Sequence, residues 1–219
     1  MTGKEFIAQI RETYVDARKL IHGNGGYNIW RGMSHSNSGN TEDLFAKFIA
    51  ENIGDHSLTF LVDKPITTRF PDIKRAITFK PDLSIFKGDL LTHYFDLKMD
   101  LGWNRNIENY LLEKNKFLEE LKMQKVRGQD VWYRNGKEVQ GIQISNQLKY
   151  HIVIVSAENG SKSAFEKNVR MAEQLDHVEM YVLTSGEHLN TYNPELGDRF
   201  IMHEDAIARL IASSKQGIN

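Results

Sequence analysis

The chain has 219 residues and no cysteine, and its 28 Lys and Arg nearly balance 29 Asp and Glu, for a net charge of −1. Disulfides and thiolate zinc sites are thereby excluded, and the charge gives no support to a strongly basic nucleic-acid binder. No apolar run approaches the ~18–20 residues that span a bilayer, and Met1–Phe6 carries no signal-peptide core, so one soluble, cytoplasmic domain over 1–219 is expected.

Residues 3–22 repeat apolar positions at helical spacing, with Phe6, Ile7, Ile10 and Tyr14 on one face. His22 to Asn40 is rich in Gly, Asn and Ser and reads as a long N-terminal arm or loop. Thr41 to Ile53 returns to a helix, capped by Asn40 or Thr41, with Leu44, Phe45, Phe48 and Ile49 facing the core. Thr59–Val62 predicts a strand, and residues 77–99 predict a β-hairpin. Asn106 to Val126 is a charged amphipathic helix with Leu111, Leu112, Leu118 and Leu121 on its apolar side and Lys114, Lys116 and Lys122 on a solvated one. Asn135-Gly136 marks a second hairpin. Tyr150–Val155 is the apolar run of a central strand, followed by a helix over 163–175, a strand over 179–183 and a closing helix over 203–213. The order predicts an α/β fold with a mixed sheet.

The first hairpin carries the chemistry. Its arms read Phe79-Lys80-Pro81-Asp82-Leu83-Ser84-Ile85-Phe86 and Leu90 to Phe95, then Asp96-Leu97-Lys98. If Asp82 lies opposite Asp96, both carboxylates and the Lys98 ammonium share one face, because side chains alternate along a strand. That register calls for an odd-numbered loop centred on Asp89; a two-residue turn at Gly88-Asp89 would send Asp96 to the other face. Such a cluster is costly to bury without a cation or a chemical task. The plain alternative is a cross-strand charge ladder in solvent.

Pro-Asp on one arm and Asp-x-Lys on the other, between an acid-bearing helix and a strand–helix–strand unit, resembles the PD-(D/E)XK nuclease superfamily over residues 41–183. The resemblance implies a restriction endonuclease-like three-layer core, a mixed central sheet flanked by helices, with residues 184–219 as a C-terminal extension. It implies that Asp82, Asp96, the Leu97 carbonyl and Glu42 hold Mg²⁺, for which Mn²⁺ would substitute, and that Lys98 supports the attacking water. Glu51 is a second, weaker candidate for the helix acid, and Glu42 at a helix start also suits the macrodipole alone. The implied activity is Mg²⁺-dependent hydrolysis of DNA phosphodiesters, with a type II restriction endonuclease as first reading. Double-stranded DNA is then the partner, and palindromic cutting calls for a homodimer. A junction-resolving or repair nuclease, or an inactive nucleic-acid-binding module, are the alternatives. Arg31 and Ser34 in the arm, and Asn104 and Arg105 after the hairpin, have the donors to meet phosphates.

Overall fold

The structure is a computed structural model that describes residues 1–19, 37–70, 74–100, 107–127, 130–157, 162–189 and 199–218. Among these it is an α/β protein with a mixed ten-strand sheet and five helices, two of them N-terminal. Helices α1 (Gly3–Lys19) and α2 (Ser38–Ile53) lead into strands β1 (Leu58–Val62), β2 (Ile66–Thr68) and β3 (Ile77–Phe79). The hairpin follows as β4 (Leu83–Lys87) and β5 (Leu90–Asp100), then α3 (Ile107–Arg127) and the hairpin β6 (Val131–Asn135) and β7 (Glu138–Ile144). The chain continues through β8 (Tyr150–Ser156), α4 (Lys162–Ala172), β9 (Val178–Gly186), β10 (Phe200–Met202) and α5 (Glu204–Ser214).

Strand β5 organises the sheet. Antiparallel β4 lies along one edge; parallel β7 and then parallel β8 lie along the other, and β9 extends the parallel set beyond β8. All seven residues of β8 are buried, as a strand flanked by parallel neighbours and covered on both faces requires. Alternation sends Phe95, Leu97, Val153 and Val155 to one side, against Phe6, Phe45, Phe48 and Leu210 of α1, α2 and α5. Tyr94, Ile152 and Ile154 go to the other, against Leu111, Leu118 and Leu121 of α3. Each face of the sheet thus carries its own apolar cluster.

Two local expectations change. Helix α2 begins at Ser38, with Asn37 rather than Asn40 or Thr41 in the cap position. The Thr41 hydroxyl is buried and donates to the Asn37 carbonyl at 2.9 Å, which leaves it inside the helix. Leu112 is 46% exposed although its neighbour Leu111 is fully buried. Adjacent helical residues point about 100° apart, so the narrow apolar stripe takes only one of them. Among the described residues no helix is long and apolar enough to cross a membrane.

Candidate active site

The hairpin reaches the expected facing by a different route. Lys87 pairs with Leu90 across the two-residue turn Gly88-Asp89, not across the predicted odd loop. Gly88 has φ +61°, the left-handed position that a type II′ turn places first. On its own this turn would misplace Asp96. Between Ile85 and Phe86, however, the register shifts: Phe86 pairs with Leu91 and Ile85 with His93, so Thr92 is an extra residue on β5. The Thr92 hydroxyl donates to the Ile85 carbonyl at 3.0 Å and closes this β-bulge. Beyond it Ser84 faces Tyr94 and Leu83 faces Phe95, which carries Asp82 to the level of Asp96.

Asp82 itself lies one residue before β4 and ties the two arms together. Its Oδ2 accepts the Leu97 backbone N–H at 2.6 Å and stands 3.7 Å from the Lys98 ammonium. The contact seen for Leu97 is therefore through its N–H. Burial, and then the nearby Asp96 charge, raise the Asp82 pKa above the ordinary carboxylate value, against the opposing pull of Lys98 and the Leu97 N–H.

Glu42 on α2 joins Asp82 from the side. A carboxylate oxygen from each of Glu42, Asp63 and Asp82 lies within 4.8 Å of the others. Burial and the charges of Asp82 and Asp63 raise the Glu42 pKa. Because α2 starts a turn earlier than predicted, Glu42 is not in the first turn, and the macrodipole does not account for it. Glu51 is elsewhere, paired with the N-terminal ammonium at 2.6 Å.

Asp63 is a residue the sequence reading missed. It follows β1 with φ +54°, the one non-glycine in the left-handed region among the described residues. Its N–H donates to the Asp82 carbonyl at 3.1 Å and its carboxylate meets Lys80 at 2.6 Å. A strand ending in Asp-Lys-Pro is a turn signal, and Asp tolerates this conformation better than most residues. Nothing in that signal marks the residue as part of a site.

Asp96 is 5% exposed and faces α3. The hydroxyls of Tyr110 and Tyr150 donate to its Oδ2 at 2.8 and 2.7 Å, and stand 2.7 Å from each other. Lys114 brings its ammonium to 3.6 Å from the same oxygen and donates to the Tyr94 hydroxyl at 2.9 Å. This corrects the reading of Lys114 as part of a solvated helix face. It lies one helical turn from Tyr110, inward, with its ammonium 4.8 to 5.4 Å from the ring centres of Tyr94, Tyr110 and Tyr150. Burial lowers the Lys114 pKa, opposed chiefly by Asp96. Burial and the Asp96 charge hold the phenols of Tyr94, Tyr110 and Tyr150 well above the ordinary tyrosine value, so they remain donors.

The structure thus brings Glu42, Asp63 and Asp82 into one carboxylate cluster, with Lys80, Lys98 and the Leu97 N–H against it; Asp96 is not part of that cluster and is held beside it by Lys114, Tyr110 and Tyr150, with Tyr94 behind. Arg31, Ser34, Asn104 and Arg105 lie outside the described residues. Fully ionised, the four carboxylates Glu42, Asp63, Asp82 and Asp96 exceed the ammonium groups of Lys80, Lys98 and Lys114 by one. Oxygen donors of this kind suit a hard divalent cation. Acidic side chains also cluster without one, so the cluster by itself does not establish a metal. Comparison of the chain with protein families and with curated proteins found no match.

Proposed function

We propose that this protein is a Mg²⁺-dependent endodeoxyribonuclease with a restriction endonuclease-like three-layer core, and that it acts as a type II restriction endonuclease. The observation that carries the reading is the bulged register of β4 and β5. An inserted Thr92 is spent to keep Asp82 level with Asp96 and Lys98, across a turn that would otherwise separate them. A charge ladder in solvent would not need that correction, and Asp82 and Asp96 are not solvated: the Asp82 side chain is 15% exposed and Asp96 5%.

Asp82, Asp96, Glu42 and the Leu97 carbonyl would hold the cation, with Asp63 beside Glu42 and Asp82. When bound it would lower the pKa of a water and offset charge on the phosphate. The excess of one negative charge in the bare site is what a divalent cation reverses, leaving a positive site for a phosphodiester. Lys98 adds a fixed positive charge where negative charge develops on that phosphate. Asp82, through the Leu97 N–H, fixes the strand that carries Asp96 and Lys98. Duplex DNA is the proposed substrate and a homodimer the form that cuts both strands of a palindrome.

The test is incubation with plasmid and phage DNA plus Mg²⁺ or Mn²⁺, with EDTA, Asp96→Ala and Lys98→Ala as controls. Discrete bands that vanish in all three controls are expected. Smearing would reassign the protein to nonspecific cleavage, and cutting confined to branched DNA would make it a junction-resolving nuclease. Binding without cleavage would leave a nucleic-acid-binding module, and neither binding nor cleavage would sink the reading.

A further inference from the structure

Resting on that nuclease reading, we infer that Tyr110 and Tyr150, with Lys114 behind them, are positioning residues that hold Asp96 by one carboxylate oxygen and reserve the other for the cation. The argument starts from parity. Tyr94, Asp96 and Lys98 are alternate residues of β5 and share the face turned to α3, whose apolar cluster would otherwise close over them. A carboxylate placed there must be supplied with donors or removed.

The donors come from two separate elements. Tyr110 and Lys114 are four apart on α3 and so project from the same side of that helix. Tyr150 opens β8 and pairs in register with Tyr94, which places its hydroxyl diagonally from Asp96. All three groups meet at Oδ2. Among the described residues no donor reaches Oδ1.

Chance packing would scatter such donors over both oxygens or use rings without hydroxyls. The rings are needed for the cluster in any case: Tyr150 is fully buried and meets Tyr94 edge-on at 5.0 Å. The hydroxyls add nothing to that apolar packing. What they do is pin the Asp96 rotamer and fix which oxygen faces the site. Groups of this kind around a metal-ligating carboxylate typically change metal affinity by about 10–100-fold. Lys114 anchors the arrangement, since its ammonium faces all three rings and donates to the Tyr94 hydroxyl.

The experiment is calorimetric titration with Mn²⁺, in the absence of DNA, of the wild-type protein, the Tyr110→Phe/Tyr150→Phe double variant, Tyr94→Phe and Asp82→Asn. The phenylalanines keep every ring. Circular dichroism checks that each variant is folded, and the two single tyrosine variants stand in if the double one is not. Expected is roughly tenfold or greater weakening of Mn²⁺ binding in the double variant, a smaller weakening in Tyr94→Phe, which removes only the hydroxyl that anchors Lys114, and loss of binding in Asp82→Asn. Wild-type affinity in a folded double variant, alongside loss in Asp82→Asn, would overturn the positioning role and leave the nuclease reading standing. A wild-type protein that binds no Mn²⁺ would sink both. A purely structural role for the hydroxyls would lower the melting temperature of the double variant and leave its Mn²⁺ affinity unmoved.

Discussion

Asp82→Asn is expected to cut DNA at least on the order of 10³-fold more slowly than the wild type while remaining fully folded. The loss corresponds to several kcal/mol of transition-state stabilisation, the scale of a lost metal or oxyanion contact. The folding prediction comes from the structure. Asp82 accepts the Leu97 N–H at 2.6 Å, and an asparagine oxygen can accept the same proton. The substitution also removes a charge that burial and Asp96 both disfavour, so stability should stay within about 1 kcal/mol or rise. Asp82→Ala differs: it leaves the Leu97 N–H without its acceptor and should cost about 1–3 kcal/mol. Urea unfolding and initial cleavage rates, measured on both variants, check this. Equal activity in Asp82→Asn and wild type would remove Asp82 from the proposed chemistry, whatever its effect on folding.

The second large effect is on acid stability and arises away from the carboxylates. His93 and His151 are each 2% exposed, with rings stacked at 5.6 Å, and Phe95 packs on His151 at 4.6 Å. Burial depresses the His93 pKa to about 4, despite the Ser213 carbonyl 3.3 Å from its Nε2 and the more distant Glu179 carboxylate. His151, wholly enclosed beside His93, is pushed down as well, and the Glu179 charge only partly opposes this. The native protein therefore keeps both rings neutral where the unfolded chain protonates them near pH 6.5. Stability is full above that value and falls as the pH drops toward 4, because the unfolded state binds the extra protons. For His93 alone the loss is roughly 3 kcal/mol across the window. Glu42 and Asp82, whose folded pKa values are raised, act in the opposite sense and offset part of it. Denaturant midpoints between pH 7.5 and 4.5 should fall steeply in the wild type and less steeply in His93→Phe. Parallel curves would show that these rings do not control acid unfolding.

Much of the framework was legible because periodicity reports burial. The run Tyr150–Val155 announced β8, and the apolar stripe of α3 was read correctly at Leu111, Leu118 and Leu121. The approach of Glu42 and Lys98 to Asp82, and the facing of Asp96 across the hairpin, were legible in the sequence. The means of convergence was not. Thr92 sits in an unbroken apolar-aromatic strand, and its role as the bulge depends on which partner carbonyl its hydroxyl reaches. Lys114 was misread because lysines in a Glu-rich helix usually face water, and only the docking of α3 turns this one inward. Tyr150 was read as part of a buried apolar strand, which it is; the hydroxyls of Tyr94, Tyr110 and Tyr150 acquire meaning once β5, β8 and α3 are assembled. Asp63 lies on another connection, brought beside Asp82 by the pairing of β1 with β4.

The facing of Asp96 is set at the extra residue, Thr92, and not at the turn, because β4 and β5 are each held in register by another strand, β1 and β8. A residue added within Gly88-Asp89 lengthens the loop and leaves the Lys87–Leu90 pair in place, whereas deletion of Thr92 moves Asp96 by one position against Asp82 and turns it to the other face. The turn is itself tied to the neighbouring strand, since the Gln143 N–H donates to the Asp89 carbonyl at 2.9 Å and its side-chain amide to the Asp89 carboxylate at 3.1 Å. The hairpin thus separates the two jobs: its tip fastens it to β7, and its bulge aims the carboxylate.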